Sequence, residues 1–371
     1  MENFPNISHQ LRACDAVPRG TMISMSPRES GKFIAQRSRH VKIAEDGEVS
    51  RLAADIHAAI AAERIREVEW SAVACHRKLA ILREQLDWIF LVDTLNFSFW
   101  TADKTAEVVT TTTAKEEGEE RTRWTGYFAL CAAVNRAIDD GLELSDPRVY
   151  ANVGREQLST VLRYDDGSAF PLLDERVRAL NEAGRTLVHH FDGSFYNLFR
   201  RSGRSALQLV NLVVEHFPSY RDRAHYEGRE VWLLKRAQIL AADVHSCLEE
   251  RCEPVGGAFD DLDQLTAFAD YRVPQVLAYL GVLRYSDELR DKLRAGELLA
   301  NGSGMEVEIR GCTLEAVERI AAAVRENCSN DAERSKATPA TVDYYLWTLR
   351  RQRVDEVDEY APMHRTRSIY Y

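Results

Sequence analysis

Apolar residues recur every three to four positions over most of the chain, the spacing of helices with one buried face. Leu52, Ile56, Ile60 and Ile65 form the first such stripe, with charges between them. Ahead of it Ser26-Pro27 marks a helix start, a serine placed to cap and a proline at the first helical position. The pattern predicts helices over 127–140, closed by Gly141, over 175–191, and over 206–217, stopped by Pro218. A longer one over 235–250 carries Leu240, Val244 and Leu248 on one stripe. The spacing also predicts a helix pair over 262–270 and 274–283 around a tight junction, then helices over 313–326 and 341–354. One stretch departs from this period. Ala106 to Thr113 is β-branched, a polar turn with Gly118 follows, and Arg121 to Thr125 returns, which predicts a β-hairpin. The expected fold is mainly α: a single helical domain over 26–371 with a small β-hairpin insertion, preceded by a flexible extension over 1–25. There is no internal repeat, and the stretch from Cys252 to Ala258 is too short for a domain boundary.

Composition narrows the function more than the fold. The formal charge of −10 argues against a nucleic-acid polymer as the main partner, because phosphate neutralisation needs a basic surface. Seven cysteines, at 14, 75, 131, 247, 252, 312 and 328, are odd in number and contain no C-x-x-C pair. They read as reduced thiols of a cytoplasmic protein, not as a disulfide framework or a zinc site. No apolar run approaches the ~20 residues of a membrane span, and the first two dozen residues lack the pattern of a secretory signal. The chain has no G-x-G-x-x-G, Walker loop, H-E-x-x-H or G-x-S-x-G, which removes support for the commonest nucleotide-dependent and hydrolytic classes.

Candidate chemistry concentrates in Thr266-Ala-Phe-Ala-Asp-Tyr-Arg-Val-Pro-Gln275. Asp270 falls between one expected helix and the next, beside Phe268 and Tyr271. It either caps the helix near Pro274 or serves as a poorly solvated anion for a cationic transition state. Asp243 borders the buried stripe of its helix and needs a partner or a purpose, with Lys235 and Arg236 on the same helix as salt-bridge partners or phosphate clamps. Thr341 reads as an N-cap with Asp343 in the first turn; the aromatic residues Tyr344, Tyr345 and Trp347 around it suit recognition of a purine-like base. Asn96 and Ser98 read as a satisfied turn. Of ten histidines, His76 stands out after Trp70, as a site residue or as a core histidine.

Several blocks together resemble the queuosine salvage protein family, the queuosine 5′-phosphate N-glycosylase/hydrolases. They are Pro27-Arg-Glu-Ser30, Asp93-Thr-Leu-Asn-Phe-Ser-Phe-Trp100, Leu130 to Ala137, Phe217 to Asp222 and Lys235-Arg-Ala-Gln-Ile-Leu240. Phe268-Ala-Asp-Tyr-Arg272, Glu306 to Cys312, Asp343-Tyr-Tyr-Leu-Trp347 and Ile369-Tyr-Tyr371 complete the set, in order from about residue 26 onward. The resemblance implies a mostly helical enzyme, distantly like the helical DNA glycosylases, that works without metal or organic cofactor. It implies an enzyme acting on a small molecule, queuosine 5′-monophosphate, and releasing queuine; a monomer with no stable nucleic-acid partner and no membrane is expected beside it.

By the same resemblance Asp270 is the catalytic carboxylate, Phe268 lines the base pocket, and Asp343 and Tyr344 contact the base, with His76 as the early histidine. Thr348 stands where the family form carries an aspartate; it can hydrogen-bond but supplies no charge, so contacts to the queuine amine or diol are rearranged. Hydrolysis would pass through an oxocarbenium-like ribosyl transition state, with Asp270 either stabilising the charge or attacking C1′. Two other readings are open: a nucleic-acid glycosylase and a non-catalytic queuine carrier.

Overall fold

Helices dominate the computed structural model, which describes residues 23–65, 70, 73–101, 108–115, 118–251 and 258–371. Cys14, Cys252 and most of the expected extension and of the 252–258 stretch lie outside the described residues. Ser26 caps α1 (Pro27–Ala35) through a reciprocal pair with Glu29, as the Ser-Pro start predicts. α2 (Asp46–Ala61) buries Leu52, Ile56 and Ile60, and Ile65 follows beyond its end. α3 (Leu82–Thr94) is followed by the expected hairpin, β2 (Val109–Lys115) paired antiparallel with β3 (Gly118–Trp124). α4 (Tyr127–Asp139) ends before Gly141, whose φ of +93° suits glycine alone. Helices Leu173–His190 and Ala206–His216 match the expected spans to within two residues. After them come α5 (Lys235–Arg251), α6 (Val273–Tyr279), α7 (Gly304–Asn327) and α8 (Pro339–Gln352).

Two small strand pairs have no counterpart in the sequence reading. β1 (Val41–Ile43) pairs with β6 (Leu283–Tyr285), and β4 (Arg223–Tyr226) pairs with β5 (Arg229–Trp232), both antiparallel. Three or four residues are too few to show a period of two. α7 also begins nine residues earlier than the pattern predicts. Its first turns bury Glu306, Glu308 and Arg310, and charges on a buried face hide the apolar stripe. The cap of α8 is Thr338, whose hydroxyl accepts from the Thr341 amide; Thr341 is therefore inside the helix and Asp343 lies beyond its first turn.

The largest correction concerns 262–270. Only Leu262–Gln264 forms a single 3-10 turn, and no helix continues to Asp270. Side chains from distant elements take up the main chain instead. The Thr266 amide donates to Gln238 Oε1 (2.9 Å), the Phe268 amide to Asp343 Oδ1 (2.9 Å), and Arg310 Nε donates to the Ala269 carbonyl (3.0 Å). These bonds outcompete the local helix that the apolar spacing suggests.

Buried side chains gather in two large clusters, with a small third one of Trp100, Tyr271 and Tyr371. One joins α3, α4, α5 and the helices at 173–190 and 206–216; the other joins α1, α2, α6, α7 and α8. In the second, α1 crosses α7 at paired glycines. A Cβ on Gly311 would fall 2.5 Å from Ile34 Cδ1, and one on Gly31 would fall 2.7 Å from Leu314 Cβ.

Between the clusters runs a buried ion network. Arg310 grips Asp222 with two bonds (2.9 and 2.6 Å), and Asp222 Oδ2 also accepts the Lys235 amide at 3.1 Å. Burial opposes the Arg310 charge, but Asp222 and Glu306 raise its pKa above the ordinary arginine value. Asp222→Ala leaves that guanidinium without its main counter-charge, so urea unfolding should show a loss of about 3–5 kcal/mol in stability. A loss below 1 kcal/mol would mean the network is dispensable.

Candidate active site

The extended segment 265–270 forms one side of a cavity of about 1540 Å³. α5 faces it with Lys235, Ile239 and Asp243, α8 with Asp343, Tyr344 and Trp347, and α4 with Tyr127 and Phe128. The cavity therefore draws on both core clusters. Phe268 and Asp270 project into it from the segment whose spacing predicts a helix, and Tyr271 from the junction that follows.

Asp270 lies two residues ahead of the N-cap of α6, Arg272, but its side chain still reaches the helix start and also lines the cavity. Its Oδ1 accepts the amides of Arg272 (2.6 Å) and Val273 (3.0 Å) at the start of α6. Two donors on one oxygen fix the plane of the carboxylate, while the second oxygen accepts no hydrogen bond among the described residues. Capping and chemistry are thus compatible uses of one side chain.

Lys235 is buried at the first position of α5 within the electrostatic reach of four carboxyl groups. Burial lowers its pKa, while Asp270, Asp93 and Asp343 pull the other way. Asp343 is itself pushed up to about 7 by burial, against the pull of the Phe268 amide, with Asp270 adding to the rise and Lys235 opposing it. Asp93 is likewise raised to about 7, and Asp243 well above the usual carboxylate range, both chiefly by burial. Acids thus outnumber the one amine, and three of the four, Asp243, Asp270 and Asp343, line the cavity.

Aromatic rings close the other sides. Tyr344 and Trp347 stack with centroids 6.2 Å apart, and Phe128 meets Trp347 edge-on at 5.7 Å. Arg351 lies 4.2 Å over the Phe128 ring. His76 is buried and stacks on Trp70 at 3.7 Å. Its Nδ1 bonds the Trp70 carbonyl (3.1 Å), which makes that nitrogen the donor, so Nε2 accepts from the Tyr127 hydroxyl at 3.0 Å. Burial depresses the His76 pKa to about 4, so the ring is neutral at physiological pH. It lines the cavity and is a satisfied core histidine at the same time.

Eight of the expected residues thus share one cavity: Asp270, Phe268, Tyr271, Asp343, Tyr344, His76, Lys235 and Asp243. Two do not. Arg236 donates to the main-chain carbonyls of Asp93, Thr94 and Ser219, stacks on Tyr220, and is buried off the cavity lining. Thr348 is on α8 but off the lining, with a buried hydroxyl that meets no partner among the described residues. The sequence reading gave Asp93, Tyr127 and Phe128 no role. Tyr127 and Phe128 open α4 directly after the hairpin, a position whose significance appears only when α4 meets α8 in space.

The sequence model of the queuosine salvage protein family matches residues 75–371. A Mus musculus protein named queuosine 5′-phosphate N-glycosylase/hydrolase is 44% identical over 352 residues, covering 94% of this chain and 99% of the mouse protein. Proteins of the same name from Schizosaccharomyces pombe and Sphaerobacter thermophilus are 36% and 39% identical. They cover 92% and 82% of this chain, and 99% and 85% of their own lengths.

The raised pKa of Asp343 carries a stability consequence. An aspartate at about 7 in the fold and near 3.8 when unfolded holds an extra proton in the native state between those values. Its contribution is present below pH 4 and is lost as pH rises through 7. Asp343→Asn keeps the acceptor for the Phe268 amide and cannot ionise, so it should stabilise the protein at pH 8 by roughly 4 kcal/mol relative to wild type. The gain should vanish toward pH 4 in thermal unfolding; an equal effect at both pH values would contradict the assignment.

Proposed function

This chain belongs to the queuosine salvage protein family, and we infer that the cavity is where it hydrolyses the N-glycosidic bond of queuosine 5′-monophosphate. The observation that carries the site assignment is Asp270: one carboxylate oxygen clamped by two amides, in a cavity that also presents an aromatic wall and the buried acid Asp343. Cleavage of the bond between C1′ and the base leaves positive charge on the sugar. A carboxylate fixed before the substrate arrives stabilises that charge without reorganising. Asp270 either does this or attacks C1′ through its second oxygen; water completes either course.

The leaving base lacks the N7 that purine-cleaving enzymes protonate, because carbon replaces it in a 7-deazaguanine. Its departure therefore depends on hydrogen bonds along its edge. Asp343 is our choice for that edge, since an ionised carboxylate accepts N–H donors, with Phe268 and Tyr344 packing the faces of the ring. Tyr271 forms wall beside Trp100 and Tyr371, and His76 orients Tyr127. Lys235 is the cation we assign to the phosphate, because Arg236 is committed to main-chain carbonyls. Thr348, off the cavity lining, does not replace the charge of the family aspartate.

The test is incubation with queuosine 5′-monophosphate, following free queuine by mass spectrometry. Wild type should release queuine, and Asp270→Asn should lose about 10²–10³-fold in kcat with an unchanged circular dichroism spectrum. Unchanged release by the variant would remove Asp270 from the chemistry, and no release by folded wild type would favour a queuine carrier. The rate should also fall on acidification through about pH 7, where Asp343 gains its proton; a flat profile from pH 8 to 6 would separate Asp343 from base recognition.

A further inference from the structure

We propose that Asp93 is a positioning residue for this reaction: it shares a proton with Asp243, so the two acids act as one unit of reduced charge that lets Lys235 meet an anionic phosphate. The proposal rests on the preceding assignment for its consequence, and on the following geometry for its existence.

Asp93 is 1% exposed at the end of α3. Its Oδ1 accepts one bond, from Asn96 Nδ2 at 3.2 Å, and its Oδ2 is buried with no donor among the described residues. Beside it on α5 stands Asp243, itself lining the cavity, its carboxyl near enough to that of Asp93 for the two to shift each other's protonation. No other side chain or amide donates to Asp243 among the described residues. Two carboxylates cannot bond without a proton between them, and a buried acceptor without a donor is costly. One shared proton resolves both difficulties. The position of Asp93 reinforces this, because a helix C-terminus carries partial negative charge and disfavours an anion.

The surrounding groups leave the sharing in place. Lys235 and Arg236 of α5 are the cations facing the pair, and Arg236 bonds main-chain carbonyls there, not the carboxylate. Tyr127 and Cys131 of α4 and the buried Tyr220 are the other titratable neighbours, all with pKa values raised by burial and therefore neutral. The pair titrates as a unit. With both acids ionised, four negative carboxylates would crowd Lys235 and repel a phosphate. With the proton shared, that excess falls by at least one charge.

Infrared spectroscopy of the full chain without substrate reads the proton directly. At pH 8, the spectrum of wild type minus that of Asp93→Asn should contain a protonated-carboxyl C=O band, because the amide donates to Asp243 in place of the shared proton and Asp243 ionises. Absence of that band overturns the proposal whether or not the protein hydrolyses the nucleotide. In the hydrolysis assay Asp93→Asn, which still offers a donor, should keep kcat/KM within about threefold of wild type. Asp93→Leu, which offers none, should lose on the order of 10-fold or more, mainly in KM, as expected for one charge-assisted bond. Equal loss in both variants would reduce Asp93 to a packing residue and overturn the positioning role. If wild type releases no queuine while the infrared band is present, the substrate assignment fails and the proton-sharing pair stands.

Discussion

The grip of Arg310 on Asp222 is the constraint on which the geometry of the cavity depends. Arg310 reaches from α7 to three places: the Asp222 carboxylate, the Ala269 carbonyl next to Asp270, and Glu306 one turn away at 3.4 Å. Its guanidinium also lies 4.1 Å over the Tyr371 ring, whose hydroxyl donates to Glu306. Asp222 in turn holds the amide of Lys235. One buried cation thus sets the height of the segment bearing Asp270 and the start of the helix bearing Lys235. Desolvating these charges is expensive, and several hydrogen bonds on each partner are needed to offset it. Apolar packing of the same volume could hold the helices together, but it would not aim two particular main-chain atoms.

Around that frame the cleft collects groups that a purely structural core would avoid. Asp93, Asp243 and Asp343 all have pKa values raised by burial, and Lys235 has one lowered by it. Each shift records a cost to the folded state at some pH. Such costs gather where ionisable groups are kept for chemistry. By contrast, Glu308 is nearly as buried, but accepts amides from Arg39 and His40 and hydroxyls from Ser38 and Tyr226, and its pKa falls. The same residue type is thus settled in one place and left poised in another.

Much of the helical frame was legible because period and punctuation agree. Ser26-Pro27, Gly141 and Pro218 mark helix ends where the chain has them, and the hairpin from Val109 to Trp124 announces itself by its β-branched run. The reading failed where the partners of the backbone are remote. Leu262, Leu265 and Phe268 have helical spacing, yet Gln238, Asp343 and Arg310 claim the main chain of that segment, and no local pattern reports residues so distant. The site residues were legible as types: acids beside aromatics at helix starts. Arg236 and Thr348 fall off the cavity lining, because spacing along a helix does not reveal which face meets the cavity. Asp93 went unnoticed because its partner is on another helix.

The clamped segment at 265–270 bears on the order in which the molecule acquires its parts. Its hydrogen bonds join residues 28, 41 and 75 positions apart. Helices form early from neighbouring residues, whereas contacts across such separations must wait for chain closure. Asp270 therefore reaches its place only after α5, α7 and α8 have come together around it. Competence of the cleft is thus a property of the whole assembled frame, where each helix answers chiefly to its own neighbours.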